Sequence, residues 1–202
     1  MQLTAEQQAK LDKVHLDDSW KYHLADFLLG PTMEQLRNFL LAEKKADKVI
    51  FPGVGEASTA MAYLKEKGLD LVIKGLKQPV LATCIGMQLL CKHSEEGNVD
   101  CIGVFDVEVK KFISQDLKIP HVGWNSIEKR GENPLMKGLK EEEFVYFVHS
   151  FYAPVNQYTT AVCEYGQPFS AMLQKDNFYA AQFHAEISGK AGEQILKNFL
   201  AL

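Results

Sequence analysis

No pair among the four cysteines, Cys84, Cys91, Cys101 and Cys163, stands at C-x-x-C or another metal-ligand spacing, so the sequence carries no signature of a zinc site. Nothing else in it asks for a metal or an organic cofactor, and none is expected. No apolar run approaches the length of a membrane span. The opening MQLTAEQQAKLDK lacks the pattern of a secretory signal. A cytoplasmic protein with free thiols and no membrane association is therefore expected. Positive charge is short: 22 Lys and Arg stand against 26 Asp and Glu, a formal net charge of -4. That balance gives no general attraction to nucleic acid or anionic lipid. There is no internal repeat and no low-complexity tract. The glycine loop Pro52-Gly53-Val54-Gly55 is not followed by G-K-[ST], which excludes a nucleotide-type phosphate loop.

What is present is the make-up of a folded enzyme-sized domain. The 202 residues are 47% hydrophobic and 24% charged, enough for one sizeable core. Residues 1–46 read as helix only. Thr4-Ala5-Glu6-Gln7 and Thr32-Met33-Glu34-Gln35 are capping-box patterns, and Asp17 or Asp18 opens a middle helix with Trp20, Leu24, Phe27 and Leu28 on one face. From Lys48 the pattern changes to β-loop-α-β-α: Val49–Phe51 as strand, helices at Ser58–Lys67 and Leu69–Leu76, a strand at Val80–Thr83 and a helix to about Lys92. Strands follow at Val104–Phe112, His121–Ile127, Val145–His149, Thr160–Cys163, Ser170–Leu173 and Tyr179–Phe183. An amphipathic helix at Ala191–Leu200, with Ile195, Phe199 and Leu200 inward, closes the chain. This alternation predicts an α/β protein with helices on the faces of a parallel sheet.

One stretch carries the chemistry. Val80-Leu81-Ala82-Thr83 runs into Cys84, a glycine follows at Gly86, and a helical pattern begins at once. A strand that stops in a tight turn, lifts out one side chain and enters a helix is the outline of a nucleophile elbow. Cys84 is thus the candidate nucleophile. A buried strand-end cysteine is more often inert, but Gln182-Phe183-His184-Ala185-Glu186 offers both a base and an orienting carboxylate. His184 is the preferred base, with Glu186 on the same face to fix its tautomer. His93, expected to be solvated at the end of the elbow helix, and His121 and His149, which fit structural roles, are the competitors. Gly53, Val54 and Gly55 are candidate oxyanion donors, since glycines let backbone N–H groups turn towards a ligand.

Together these residues resemble the class I glutamine amidotransferases, and among them the glutaminase subunits of imidazole glycerol phosphate synthase. The resemblance rests on ADKVIFPGVGEA (46–57), CIGMQLLCKHSEEG (84–97), PHVGWN (120–125), YFVHSFY (146–152) and QFHAEISGKAGEQILKNFL (182–200). It implies a flavodoxin-like mixed sheet with helices on both faces over residues 47–202, preceded by an atypical helical segment over 1–46. It implies hydrolysis of glutamine to glutamate and ammonia by Cys84, His184 and Glu186. It assigns Gln88, Glu96 and the backbone of Ser150 and Phe151 to holding glutamine. It also implies a heterodimer in histidine biosynthesis, in which a cyclase (β/α)8-barrel subunit receives the ammonia. His121, Gly123, Trp124 and Asn125 would sense that partner.

The departures are specific. Ala82 stands where the family's elbow usually has glycine, and a crowding methyl typically costs ~1–3 kcal/mol. His184-Ala185-Glu186-Ile187 replaces H-P-E-K, so a cation that normally faces the cyclase is missing. The family's opening strand and D-Y-G-x-G-N-type loop are not found. Residues 1–46 instead resemble the N-terminal segment of bacterial uracil-DNA glycosylases, in Asp18-Ser19-Trp20-Lys21 and Leu36-Arg37-Asn38-Phe39-Leu40, without that family's G-Q-D-P-Y-H or H-P-S-P stretches. Glycosylase activity is not expected. Two rival readings stand beside the glutaminase: a catalytically impaired scaffold that at most binds a partner, and a stand-alone cysteine hydrolase.

Overall fold

The computed structural model describes residues 46–53 and 55–202; the helices and glycosylase-like motifs expected in 1–45, and the role given to Val54, lie outside the described residues. Strand β1 (Val49–Phe51) leads into helices α1 (Ala57–Glu66) and α2 (Leu69–Lys74), then β2 (Val80–Thr83) and α3 (Ile85–Leu90). Eight strands follow before the last stretch of sheet: β3 (His93–Ser94), β4 (Val99–Asp100), β5 (Glu108–Lys111), β6 (His121–Lys129), β7 (Glu142–His149), β8 (Phe151–Tyr152), β9 (Thr159–Glu164) and β10 (Pro168–Lys175). β11 (Phe178–Ala181), a 3-10 turn at Ala185–Ile187 and helix α4 (Gly189–Leu200) end the chain. Among the described residues no helix is long and apolar enough to cross a membrane.

The main sheet has seven strands in the order β1-β2-β11-β10-β9-β6-β7. β1, β2 and β11 are parallel, and the remaining neighbours pair antiparallel. A smaller sheet runs β4-β3-β5-β8. The central strands are buried on both faces, as parallel strands between helical layers must be. Leu81 of β2 and Tyr179 and Ala181 of β11 join one core with Phe147, Phe169, Phe183, Ile195 and Phe199. Their alternating neighbours Val80, Ala82, Phe178 and Ala180 point the other way and are buried as well. The mixed sheet implied by the resemblance is thus present, whereas the parallel pairing predicted from the alternation is confined in this sheet to β1, β2 and β11, because the later strands follow one another with no α-helix between them.

Helix α1 owes its start to Glu56, whose carboxylate accepts from Ser58 N and Thr59 N at 3.0 and 2.9 Å. Those backbone N–H groups, Thr59 first, hold its pKa down to about 2. Helix α4 turns Ile195 and Phe199 inward as expected, while Leu200 is only half-buried.

Three expectations need correcting. The strand expected at Val104–Phe112 is confined to Glu108–Lys111, because Val104, Phe105 and Val107 are buried by a loop whose N–H groups bond back to Leu90 and Phe105. His93 lies in β3, not at the end of the elbow helix, and both ring nitrogens are engaged, by Asp100 at 2.9 Å and Asn98 at 3.2 Å. The Ala82 methyl lies inside β2, in register with Phe51 and Ala180, and not in the turn that follows Thr83.

Candidate active site

The site is built at the carboxyl ends of two adjacent parallel strands, where α/β sheets leave room for chemistry. Thr83 of β2 is in register with Ala181 of β11, and Cys84 N donates to the Ala181 carbonyl at 2.8 Å. Cys84 therefore leaves the sheet beside the segment that carries His184 three residues beyond β11. Its backbone has φ 52 and ψ -117, a region that non-glycine residues rarely occupy. Strain of that kind costs about 1–3 kcal/mol and is held at elbows by the surrounding fold. Here the surroundings are explicit. A Cβ on Gly86 would come within 2.2 Å of the Phe51 carbonyl, and one on Gly53 within 2.2 Å of Ile85 Cγ2. The end of β1 and the glycine loop lie directly on the turn, and only glycines permit that approach.

His184 is tied to both neighbours the sequence suggested. Its Nδ1 donates to Glu186 Oε1 at 2.7 Å, which leaves Nε2 uncommitted to the carboxylate. Cys84 first and Glu186 second stabilise the protonated imidazole and raise its pKa to about 10. The imidazole is nearly buried, 14% exposed, while the Glu186 carboxylate is 56% exposed. Cys84 is also 3.7 Å from the Val148 carbonyl. Burial pushes Cys91 up, Cys101 to about 11 and Cys163 to about 12, so none offers a thiolate at neutral pH.

The remaining candidates fall into three groups. Gln88 is buried one helical turn beyond the nucleophile; its Nε2 donates to the Phe151 carbonyl at 3.0 Å and to Gln182 Oε1 at 2.9 Å. Ser150 and Phe151 thus meet Gln88 beside Cys84, the Ser150 carbonyl being held by Phe112 N at 3.0 Å. Glu96 reaches the first turn of α1, accepting from Ala57 N at 2.9 Å, and burial raises its pKa. Gly53 sits on the elbow, and Gly55 has φ 115.

The partner-facing group divides. Trp124 is 55% exposed and lies across β6–β7 from Tyr146, with ring centroids 5.9 Å apart. Gly123 and Asn125 are half-buried. His121 does not share the Trp124 surface: it is 3% exposed and bonds to His149 Nε2 at 3.0 Å. The reason is the two-residue period of a strand, which turns His121 inward where Val122 and Trp124 turn outward. Val122, Trp124, Phe144 and Val148, all exposed, form an apolar strip on these two strands, and Ile187 is 45% exposed.

Sequence reasoning missed Ser188, Tyr146 and the amide of Gln182. The Ser188 hydroxyl pins the His184 segment to β7, and the buried Gln182 amide orients Gln88. The clue to Ser188 was its place at the start of the closing helix; Gln182 was visible only as a neighbour of His184.

A cysteine on an elbow, beside a histidine that is itself held by a carboxylate, is the arrangement that cysteine-nucleophile α/β enzymes need. Among solved structures, a glutamine amidotransferase superposes with a TM-score of 0.59 at 17% identity, over 90% of each chain. A glutamine amidotransferase from Thermotoga maritima gives 0.54 at 18% identity, over 78% of this chain and 64% of that one. The sequence pattern of glutamine amidotransferase class-I matches residues 28–202. The chain belongs to the class-I glutamine amidotransferases, in the group of the imidazole glycerol phosphate synthase subunit HisH. The HisH subunit of Bacteroides thetaiotaomicron is 61% identical over 161 residues, 79% of this chain and 82% of that protein. That of Escherichia coli (strain K12) is 49% identical over 158 residues, 78% of this chain and 81% of its own length.

Proposed function

We propose that this enzyme hydrolyses glutamine to glutamate and ammonia through Cys84, His184 and Glu186, and that the ammonia serves a cyclase partner in histidine biosynthesis. The observation that carries the reading is the His184 imidazole, bonded to Glu186 through Nδ1 and perturbed most strongly by Cys84. The Cys84 sulfur attacks the side-chain carbonyl carbon while its proton rests on His184 Nε2. The oxyanion of the tetrahedral intermediate takes N–H donors from the loop at 52–55, whose Gly53 lies against Ile85 and Gly86. His184 then gives its proton to the departing nitrogen, releasing ammonia and leaving a thioester on Cys84. Water, deprotonated by the same imidazole, cleaves the thioester to glutamate and restores the thiol. Glu186 holds the tautomer that makes both transfers possible.

The substrate is held by Gln88, Glu96 and the Ser150–Phe151 backbone. Gln88 Oε1 accepts no hydrogen bond among the described residues, so it is available to a donor on the ligand. The half-buried Glu96 carboxylate suits the α-ammonium of an amino acid. The partner is a (β/α)8-barrel cyclase, docking on the apolar strip of Val122, Trp124, Phe144 and Val148 beside the site. The curated relatives are named as synthase subunits, which supports an assembly with a second chain. The assembled Cys–His–Glu line speaks against the impaired-scaffold reading.

A glutamine-analogue electrophile tests the reading. It is expected to label Cys84 alone among the four cysteines, with protection by glutamine. Labelling of Cys91, Cys101 or Cys163 with Cys84 untouched would refute it.

A further inference from the structure

The two buried histidines competing for the role of base form a single proton-ordered chain. His149 Nδ1 lies 2.8 Å from the Phe151 carbonyl, an atom that only accepts, so Nδ1 carries the proton and Nε2 is bare. His121 Nδ1 lies 3.0 Å from that bare nitrogen and must donate to it. This leaves His121 Nε2 to accept, and Asn125 Nδ2 approaches it at 3.4 Å. The orientation of the Asn125 amide is fixed independently: Nδ2 donates to the Glu164 carbonyl at 2.9 Å and Oδ1 accepts from Ser126 N at 2.8 Å. The direction of every bond is therefore set from both ends. Both rings are wrapped in aromatics, His121 stacked on Tyr165 at 4.0 Å and on Phe147 at 4.9 Å, His149 against Phe169 at 5.1 Å. They are 3% and 6% exposed.

Two core histidines used only to fill space are a poor choice, since an apolar pair would leave no polar atom to satisfy. What the chain delivers is a donor at its far end. The Phe151 carbonyl that receives His149 also receives Gln88 Nε2 at 3.0 Å, and the second Gln88 N–H goes to Gln182 Oε1 at 2.9 Å. The Gln88 amide has no freedom to flip while that carbonyl stays in place.

We infer that His149, backed by His121, is a positioning residue for glutamine: the imidazole pair holds the Phe151 carbonyl, and through it the Ser150–Phe151 backbone and the Gln88 amide, in the glutamine-binding arrangement. The inference rests on the proposed reading that these groups bind glutamine. It also explains why PHVGWN and YFVHSFY occur together: His121 and His149 are opposed residues of β6 and β7. Asn125, at the outer end, shares the His121 face of β6, so the chain runs along the inner side of β6 and β7 to the substrate site.

Saturable inactivation by 6-diazo-5-oxonorleucine, alongside simple alkylation of Cys84 by iodoacetamide, tests it on the full chain. In His149→Phe the half-saturating analogue concentration rises about tenfold, the loss of one hydrogen bond, while the iodoacetamide rate stays within about twofold. In His149→Asn, whose Nδ2 supplies a donor in place of Nδ1, saturation returns towards the wild-type concentration. In the wild-type chain the 15N shift of His149 Nδ1 moves when the analogue binds, a readout that does not depend on either variant folding. An unchanged half-saturation in His149→Phe, equal loss in both variants, a parallel fall in the iodoacetamide rate, or an unmoved Nδ1 overturns the inference. A wild-type chain that alkylates without saturation overturns the glutamine-site reading itself, and is distinguished by that control.

Discussion

The Ser188 hydroxyl donates to the backbone carbonyl of His184 at 2.6 Å. The same oxygen accepts the Tyr146 N–H at 2.9 Å, and the Tyr146 carbonyl accepts from His184 N at 3.0 Å. The His184 segment is thus fastened to β7 at two points, with the 3-10 turn of Ala185–Ile187 between them. The segment is held in this way with Ala185 where H-P-E-K has proline.

Ser188→Ala leaves the Tyr146 N–H without its acceptor in a site where Ser188 is 1% exposed. A stability loss of ~1–3 kcal/mol is expected. A lower kcat for glutamine with little change in KM should accompany it, because the base shifts while the Gln88 side of the site does not. Thermal melts and steady-state kinetics check both, and a raised KM with unchanged kcat would place Ser188 elsewhere.

The raised pKa of His184, about 10, gives a signed prediction. Because the folded value lies above the ordinary 6.5, the stability from its bonds to Cys84 and Glu186 is complete below pH 6.5 and is lost as pH rises through about 10. Glu186→Gln removes one of the two stabilising partners, so the His184 titration, followed by the Cε1 proton, moves down. Turnover falls but persists, whereas His184→Ala abolishes it. A titration unmoved by Glu186→Gln would remove the carboxylate from the mechanism.

The buried pair has the opposite sign. Burial lowers His121 to about 4 and His149 to about 3, both below the ordinary 6.5. The unfolded chain therefore takes up protons first, and stability falls as pH drops below 6.5 towards 4 and 3. Glu56, held at about 2 against an ordinary 4.5, loses its contribution only as pH falls below 4.5. The urea midpoint should fall between pH 7 and pH 5, and fall less in His149→Asn, which has one histidine fewer to protonate. Equal falls would assign the loss to other groups.

Much of this was legible in the chain. Val80–Thr83 was read to the residue because an apolar run buried on both faces ends at a cysteine-glycine turn, and β2 has those bounds. Cys84 was legible as a residue type at a strand end, and His184 with Glu186 as a pair whose segment runs on past the end of β11. The small sheet was not: β3, β4 and β8 have two residues each, too few for any period to show. His121 was assigned by the stretch it belongs to, although strand alternation separates it from Trp124. Ser188 and Gln182 act through bonds to residues 42 and 94 positions away, which no local pattern records.

The exposed strip offers a prediction about assembly. Trp124→Ala should weaken stimulation by a cyclase barrel while leaving iodoacetamide alkylation of Cys84 unchanged, since the indole is outside the triad. Ile187→Lys, which restores the cation the family carries there, should strengthen it. Stimulation indifferent to both substitutions would move the docking surface away from β6 and β7.

The central claim is that Cys84 releases ammonia from glutamine. Steady-state ammonia release by the full chain, with and without a (β/α)8 cyclase barrel, measures it against Cys84→Ala. Release is expected with the barrel, at most a trace without it, and none in Cys84→Ala under either condition. Equal release by the wild-type and Cys84→Ala proteins, or none from the wild type with the barrel bound, would contradict it.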